Sequence, residues 1–321
     1  MTLAIVTKIV FPASNGRPEI MIRKVNSVHI ESTWETLTDK ATIILPRNVK
    51  DFDKMKVRDI FRKGDPVIIY LGYNEVFVEE FNGFISAVSA DIPVKIECED
   101  MMYLLKKHPV SISMRNTSLQ DLIKAIVPAG IETDVADINI GTKRWPRTTA
   151  AQILEELQEA KIYSYFRGKT LVVGKIYSDD KEPPAIFDFS KNVVDNQLNY
   201  KHKDDVMIKI VATSNLPKGK KLKVEVGDHF GTEMNLSYYN IQVEAELTKL
   251  AKLDYDKYKV DGFEGHIVVF GIPSVRHGMK ALIRSVQYPD RNGTYWIKKV
   301  DKEVSDNATY RQNVHLDKKS A

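Results

Sequence analysis

Residues 288–300 read YPDRNGTYWIKKV. Asn292-Gly293 is the pair that tolerates the positive φ of a tight hairpin at least cost, and Thr294, Tyr295, Trp296 and Ile297 behind it are strand formers. The stretch therefore reads as a bend between two strands of a scaffold. Asp290 and Arg291 lining a catalytic rim is the competing reading, and it is the weaker one because such pairs mark turns so strongly.

Strand signals extend outward from this hairpin in VMIKIVATS (206–214), KLKVEV (221–226), HIVVFGI (266–272), KALIRSVQY (280–288) and YRQNVHL (310–316). One helix interrupts them near 241–254, with Val243, Leu247, Leu250 and Ala251 on one face. The first hundred residues carry the same kind of signal in LAIVTKIVF (3–11), IMIRKVNSVHIE (20–31), ATIIL (41–45), VIIYLGY (67–73), VFVEEFNGFISAV (76–88) and VKIEC (94–98). Between them the period changes. Thr117 with Gln120 has capping-box spacing ahead of Leu119, Leu122, Ile123 and Ile126, and Thr149 with Gln152 repeats it ahead of Ile153, Leu154 and Leu157. Arg167-Gly168-Lys169 then reads as a hairpin tip. The expected fold class is mainly β with an α+β insert: two similar β units at 1–100 and 186–321, and a small α+β domain at 101–185.

The two β units resemble each other. From Gly64 the chain passes a strand, a turn at Asn82-Gly83, a strand with Phe84, Ile85 and Val88, and a final strand with Val94 and Ile96. From Gly278 it passes a strand, a turn at Asn292-Gly293, a strand with Tyr295, Ile297 and Val300, and a final strand with Tyr310 and Val314. An internal duplication is expected.

Composition narrows the function. Forty-seven lysines and arginines face 43 aspartates and glutamates, a net charge of +4, so no strong nucleic-acid or membrane field arises from charge alone. Cys98 is the only cysteine, which excludes an internal disulfide and every multi-cysteine metal site. No apolar run reaches the ~18 residues of a membrane helix, and MTLAIVTKIVF has no basic segment ahead of its apolar residues, so neither membrane insertion nor an ordinary signal peptide is expected.

Motifs for chemistry are missing. The seven histidines are scattered, and His229 with Glu233 lacks the second histidine of a zinc-protease helix. Gly219 stands before Lys220 and Lys221 without the other glycine of a phosphate loop, and a strand follows. Lys218, Lys220, Lys221 and Lys223 read as a solvated hairpin tip, with a docking patch for an acidic partner as the sharper alternative. No Gly-x-Ser-x-Gly elbow occurs, and Cys98 lies in a strand pattern as an inert thiol. No catalytic, cofactor or metal residue is assigned.

GDPVIIYLGY (64–73), FNGFISAV (81–88), IECEDMMYLLKK (96–107), ILEELQEAKIYSYFRGKTLVVG (153–174) and RSVQYPDRNGTYWIKKVDKEVSD (284–306) occur in this order. In order and spacing the chain resembles the contractile-tail baseplate hub proteins, which include the phage late control D family and the short hubs of defective prophages and phage-tail-like bacteriocins. The resemblance implies two tube-like β-barrel domains and a homotrimeric ring that adapts a hexameric tail tube to a trimeric central spike. Implied partners are the spike protein, the tube protein, the tape measure and other baseplate proteins, with DNA only as cargo in the bore. The implied place is the tail baseplate of a phage or phage-like particle assembled in the bacterial cytoplasm, and no enzyme is expected, since no cell-wall-degrading domain is seen before Ala321. The rival from another class is a cell-wall glycan-binding or peptidoglycan-degrading tail protein, and a third is a barrel-type nucleic-acid binder, for which Tyr238 and Tyr239 lie near but outside the lysine cluster.

Overall fold

The computed structural model describes residues 3–14, 16–46, 60–177, 182–216, 220–239, 241–259 and 261–320. The N-terminal region forms β1 (Ile5–Phe11), β2 (Ile20–Ile22), β3 (Ser27–Thr33), β4 (Lys40–Ile44), β5 (Pro66–Tyr73), β6 (Val76–Val88) and β7 (Lys95–Glu99). Alternate side chains turn inward, among them Val28 and Ile30 of β3, Ala41 and Ile43 of β4 and Ile96 and Cys98 of β7, and they share one apolar core.

A second core lies in the middle region, built by α1 (Met102–Lys107), β8 (Pro109–Ser118), α2 (Leu119–Ile126), β9 (Glu132–Val135), β10 (Asn139–Thr149), α3 (Ala150–Glu159), β11 (Ser164–Arg167) and β12 (Thr170–Val173). Helix α3 starts in the expected capping box of Thr149 and Gln152. Helix α2 does not: Ser118, not Thr117, is its cap, accepting from Asp121 N, while the Thr117 hydroxyl is buried against Met114 Sδ. The β11–β12 hairpin turns at Gly168, whose φ is +60°.

After β13 (Ala185–Asp188) and β14 (Val193–Lys201) the chain leaves the main sheet. The strands β15 (Ile208–Asn215), β16 (Lys221–Gly227) and β17 (Thr232–Tyr239) form a sheet of their own, with β15 parallel to β17, covered by α4 (Glu244–Tyr258). Leu247 and Ala251 of α4 are buried there, whereas Val243 and Leu250, expected on the same face, are exposed. The main sheet resumes with β18 (Gly262–Phe270), β19 (Lys280–Arg284), β20 (Gly293–Ser305) and β21 (Thr309–Lys319) around a third large core. The chain is thus mainly β. Among the described residues thirteen strands share one sheet, ordered β14-β18-β21-β20-β3-β4-β7-β6-β5-β1-β2, with β19 beside β20 and β13 beside β19.

Two turn assignments are corrected. Asn82 and Gly83 lie inside β6, opposite Ile68 and Val67 of β5. The β5–β6 reversal is instead at Asn74 and Glu75, with φ of 51° and 64°, a two-residue turn of the kind that matches strand twist. Gly83 is glycine because a Cβ would lie 2.1 Å from Glu99 O of β7. At the other end, Asn292 is extended at φ −65° and ψ 135°, and Gly293 opens β20; the β19–β20 reversal is made by a short 3-10 turn at Pro289–Arg291. Asn292 serves through its side chain, whose Oδ1 accepts from Ser285 N at 2.6 Å.

The duplication is present at the level of single hydrogen bonds. Gly64 (φ +95°) and Gly278 (φ +79°) each enter a strand. Gly64 N donates to Ile85 O and Ile85 N to Asp65 O, while Gly278 N donates to Ile297 O and Ile297 N to Met279 O. One residue is extra immediately after each isoleucine: Ser86 between the pairs Ile85–Cys98 and Ala87–Glu97, and Lys298 between Ile297–Leu316 and Lys299–His315. The pairing then proceeds alike, Val88–Ile96 with Ile96–Ile43 in one unit and Val300–Val314 with Val314–Ile267 in the other. Strands β3, β4, β7, β6 and β5 therefore correspond to β14, β18, β21, β20 and β19.

Replacing Gly83 by Ala should drive the Cβ into β7 backbone that cannot yield, lowering the thermal midpoint by several degrees or more or leaving the protein insoluble. Unchanged thermal unfolding would show that β6 and β7 are not this close.

Candidate functional site

The feature that joins the two β units is a seam between β3 and β20, running antiparallel from Lys299 opposite Thr33 to Ser305 opposite Ser27. Its inner face carries Val28 and Ile30 against Val300 and Val304, and Val304 and Tyr310 of the C-terminal unit belong to the N-terminal core. Its outer face is charged. Lys299 Nζ lies 2.6 Å from Glu31 Oε1 and 3.2 Å from Asp301 Oδ1, and His315 Nε2 lies 3.2 Å from Asp301 Oδ2. His29, Glu31 and Asp301 bring possible metal-ligand atoms within 4.8 Å of one another. The Lys299 ammonium already supplies a cation between the two carboxylates, so the group works as a cross-strand charge network.

Beside the seam's inner face a cavity of about 330 Å³ opens where all three regions meet. Lys302 stands on the inward phase of β20 between Val300 and Val304, with only 7% of its side chain exposed. Its ammonium is hydrogen-bonded to Glu80 Oε2 and to Ser274 Oγ at 2.8 Å. Glu80 points inward because it is the extra residue of a bulge in β6: Phe81 pairs with Ile69 and Glu79 with Tyr70, leaving Glu80 unpaired. Its other oxygen accepts from Tyr310 OH at 2.9 Å. Burial lowers the Lys302 pKa, and the Glu80 carboxylate opposes that shift. The same junction holds Tyr73 stacked on Tyr310, with Tyr73 OH donating to Tyr310 O and accepting from Gly271 N.

Two further carboxyls line the cavity. Asp39 accepts from Ser32 Oγ at 2.6 Å and Thr33 N at 3.1 Å; Asp100 accepts from Met102 N at 2.9 Å and Asp39 N at 3.2 Å. Burial pushes Asp39 up to about 7, and burial together with the neighbouring Asp39 raises Asp100. A carboxyl poised near neutrality is what a general acid needs. Yet both side chains tie down nearby chain, the β3–β4 loop and the start of α1, by accepting from backbone N–H groups there. Above them His277 packs edge-on against Tyr165 of the α+β region at 4.5 Å, and burial pulls its pKa down to about 3. Arg167, two residues further along β11, lines the same cavity.

The residues singled out in the sequence are not gathered here. Asn82 alone reaches the cavity rim, hydrogen-bonded to Glu79. Lys220, Lys221 and Lys223 are exposed at the β15–β16 connection, Lys223 paired with Glu225 at 2.8 Å, and Lys218 lies outside the described residues. The junction residues were missed, though Lys302 between Val300 and Val304, and Gln312 between Tyr310 and Val314, break the apolar phase of their strands visibly. Gln312 is fully buried, bonding Val275 N and the carbonyls of Phe270 and Pro273.

No protein-family model and no curated protein matches the sequence. Solved structures do. A tail protein from Neisseria meningitidis superposes with a TM-score of 0.66 at 15% identity, covering 100% of this chain and 97% of that one. The chain has the fold of phage tail proteins. The 43 kDa tail protein of prophage MuSo2 from Shewanella oneidensis gives 0.62 at 15% identity, with 98% and 97% covered. The Escherichia coli c3393 protein, a type VI secretion component described as structurally similar to the T4 tail proteins gp27 and gp5, gives 0.56 at 9% identity, with 92% and 74% covered. Within this tail-protein fold, no helix among the described residues is long and apolar enough to cross a membrane.

Two predictions follow from the junction. Lys302→Met strands the buried Glu80 charge and should cost about 3–5 kcal/mol of stability in denaturant titrations. Adding Glu80→Gln, which keeps an acceptor for Tyr310 and Ser274, should recover most of that loss; no recovery would mean the ion pair is not what holds the junction. For Asp39, the folded carboxyl keeps its proton up to about 7 while the unfolded one loses it near 3.8. The native state therefore binds more protons across that window, and stability falls as pH rises from about 4 to 7 and is level above it. Asp39→Asn should abolish this part of the slope, so that its advantage over wild type grows between pH 4 and 7 and is constant at pH 8. Parallel pH profiles for the two proteins would contradict the assignment.

Proposed function

We propose that this chain is a structural baseplate hub of a contractile phage tail or phage-like injection particle, a homotrimeric ring that adapts a hexameric tail tube to a trimeric central spike. The observation that carries the reading is the duplication. Equivalent glycines, equivalent backbone hydrogen bonds and an equivalent bulge build two β units of one strand order in a single chain. Three copies then present six like surfaces in a ring on one side and keep threefold symmetry on the other, which a tube-to-spike junction needs. The tail-protein fold and the likeness to a secretion component compared with gp27 and gp5 support the same assignment.

In this reading residues 1–100 and 186–321 supply the two tube-like units, with the α+β region at 101–185 and the β15–β17 sheet with α4 decorating the ring. The exposed Lys220, Lys221 and Lys223 offer an acidic baseplate neighbour a docking point. The protein is not a catalyst, and its place is the tail of the particle. The buried Asp39 and Asp100 are a carboxyl pair that a peptidoglycan-degrading role could use, but both are engaged by backbone N–H groups of the β3–β4 loop and the start of α1.

Light scattering on the purified protein at micromolar concentration should give three times the chain mass, through an obligate interface above ~2,000 Å². A monomer both alone and with the spike protein would contradict the ring.

A further inference from the structure

The correspondence between the two units says more than that they are alike, because the seam that joins them has a counterpart whose two halves are both left unpaired among the described residues. In the seam, the outer edge of β3 pairs with β20 beyond its bulge. The counterpart of β3 is β14, the end of the strand order, and among the described residues no strand pairs with its outer edge. The counterpart of the far end of β20 is the far end of β6. Among the described residues nothing pairs with β6 beyond Ile85 on the side facing away from β7. One chain thus carries both edges of a second seam at places it does not bring together.

We propose that these edges meet between copies: β14 of one chain pairs antiparallel with the end of β6 in the next, repeating the β3–β20 seam. This rests on the trimeric-ring reading above and names the surface that closes it. The register follows from pairs already described. Ile30 is opposite Ala41 and Leu198 is opposite Gly265, while Ala41 and Gly265 lie opposite the equivalent Cys98 and Leu316. Ile30 thus corresponds to Leu198, Glu31 to Asn199 and Ser32 to Tyr200. On the other side Val88 corresponds to Val300, and Ser89, whose N donates to Lys95 O, to Asp301, which is paired with Asn313. Since Val300 is opposite Ser32 and Asp301 opposite Glu31 in the seam, Val88 should face Tyr200 and Ser89 should face Asn199 across the contact.

The surfaces suit this occupant. Val194 and Tyr200 on β14 are 48% and 47% exposed, and Ile92, just past β6, is 76% exposed, a large apolar allotment for edge strands left in water. A head-to-tail contact of this kind forms a closed ring when its rotation equals that of the internal seam and the seams together complete one turn. It forms an open filament otherwise. The pairing is shorter than the internal seam, because β20 continues to Ser305 whereas β6 ends at Val88.

Cysteine cross-linking of the full chain tests the proposal. The pairs Ser89→Cys with Asn199→Cys, and Val88→Cys with Tyr200→Cys, put thiols directly opposite each other between copies, within reach of a disulfide. Under mild oxidation at least one double variant should run as covalent dimer and trimer on denaturing gels, while the four single variants and wild type, whose Cys98 is buried, stay monomeric. Light scattering of the same reduced samples separates the outcomes. Trimers that form no cross-link with either pair overturn this interface and leave the ring standing, and monomers that form none overturn both. A trimer cross-linked only by mismatched controls, such as Ser89→Cys with Val194→Cys, overturns the register.

Discussion

The molecule depends on one backbone constraint, the antiparallel pairing of β3 with β20. These strands are separated by most of the chain, and their hydrogen bonds turn two β units into one thirteen-stranded sheet. Everything else at the junction follows from that apposition. It carries Val304 and Tyr310 into the N-terminal core, sets Lys302 against Glu80, and places the loop before β19 over the cavity where the α+β region docks through Tyr165.

A polar cluster inside an apolar joint is costly to bury and strongly destabilising to break from one side. That asymmetry holds the joint to one arrangement. Two apolar faces could slide along each other by a strand repeat, whereas Glu80, Ser274, Tyr310 and Lys302 satisfy one another at a single setting. The bulge at Glu80 and the matched bulges at Ser86 and Lys298 serve the same end, because each inserted residue fixes which side chains face inward beyond it.

Much of this was legible in the sequence, and the misses have physical causes. Runs of strand-forming residues located β1, β4, β5, β7 and β21, and the Thr149-Gln152 box located α3, because these signals are local. The Asn82-Gly83 turn was misplaced because Gly83 answers to a neighbouring strand, the Glu99 carbonyl, and not to a reversal; the actual turn uses Glu75, a residue with no turn signature. The segment 206–258 reads as more of the second β unit, but its parallel β15–β17 pair and its own helix are tertiary facts that no local pattern states. The seam was illegible for the same reason. Lys302 and Gln312 were the exceptions, polar residues on the buried phase of their strands that announce a partner without naming it.

A ring of three chains requires that the two units of each chain be placed as equivalents around a common axis. Electron microscopy of the isolated protein measures this directly. Ring-shaped views with a central hole, threefold symmetry, and six inner lobes of equal radius and spacing are expected. Particles without a hole, or rings whose inner lobes number three, would contradict that placement.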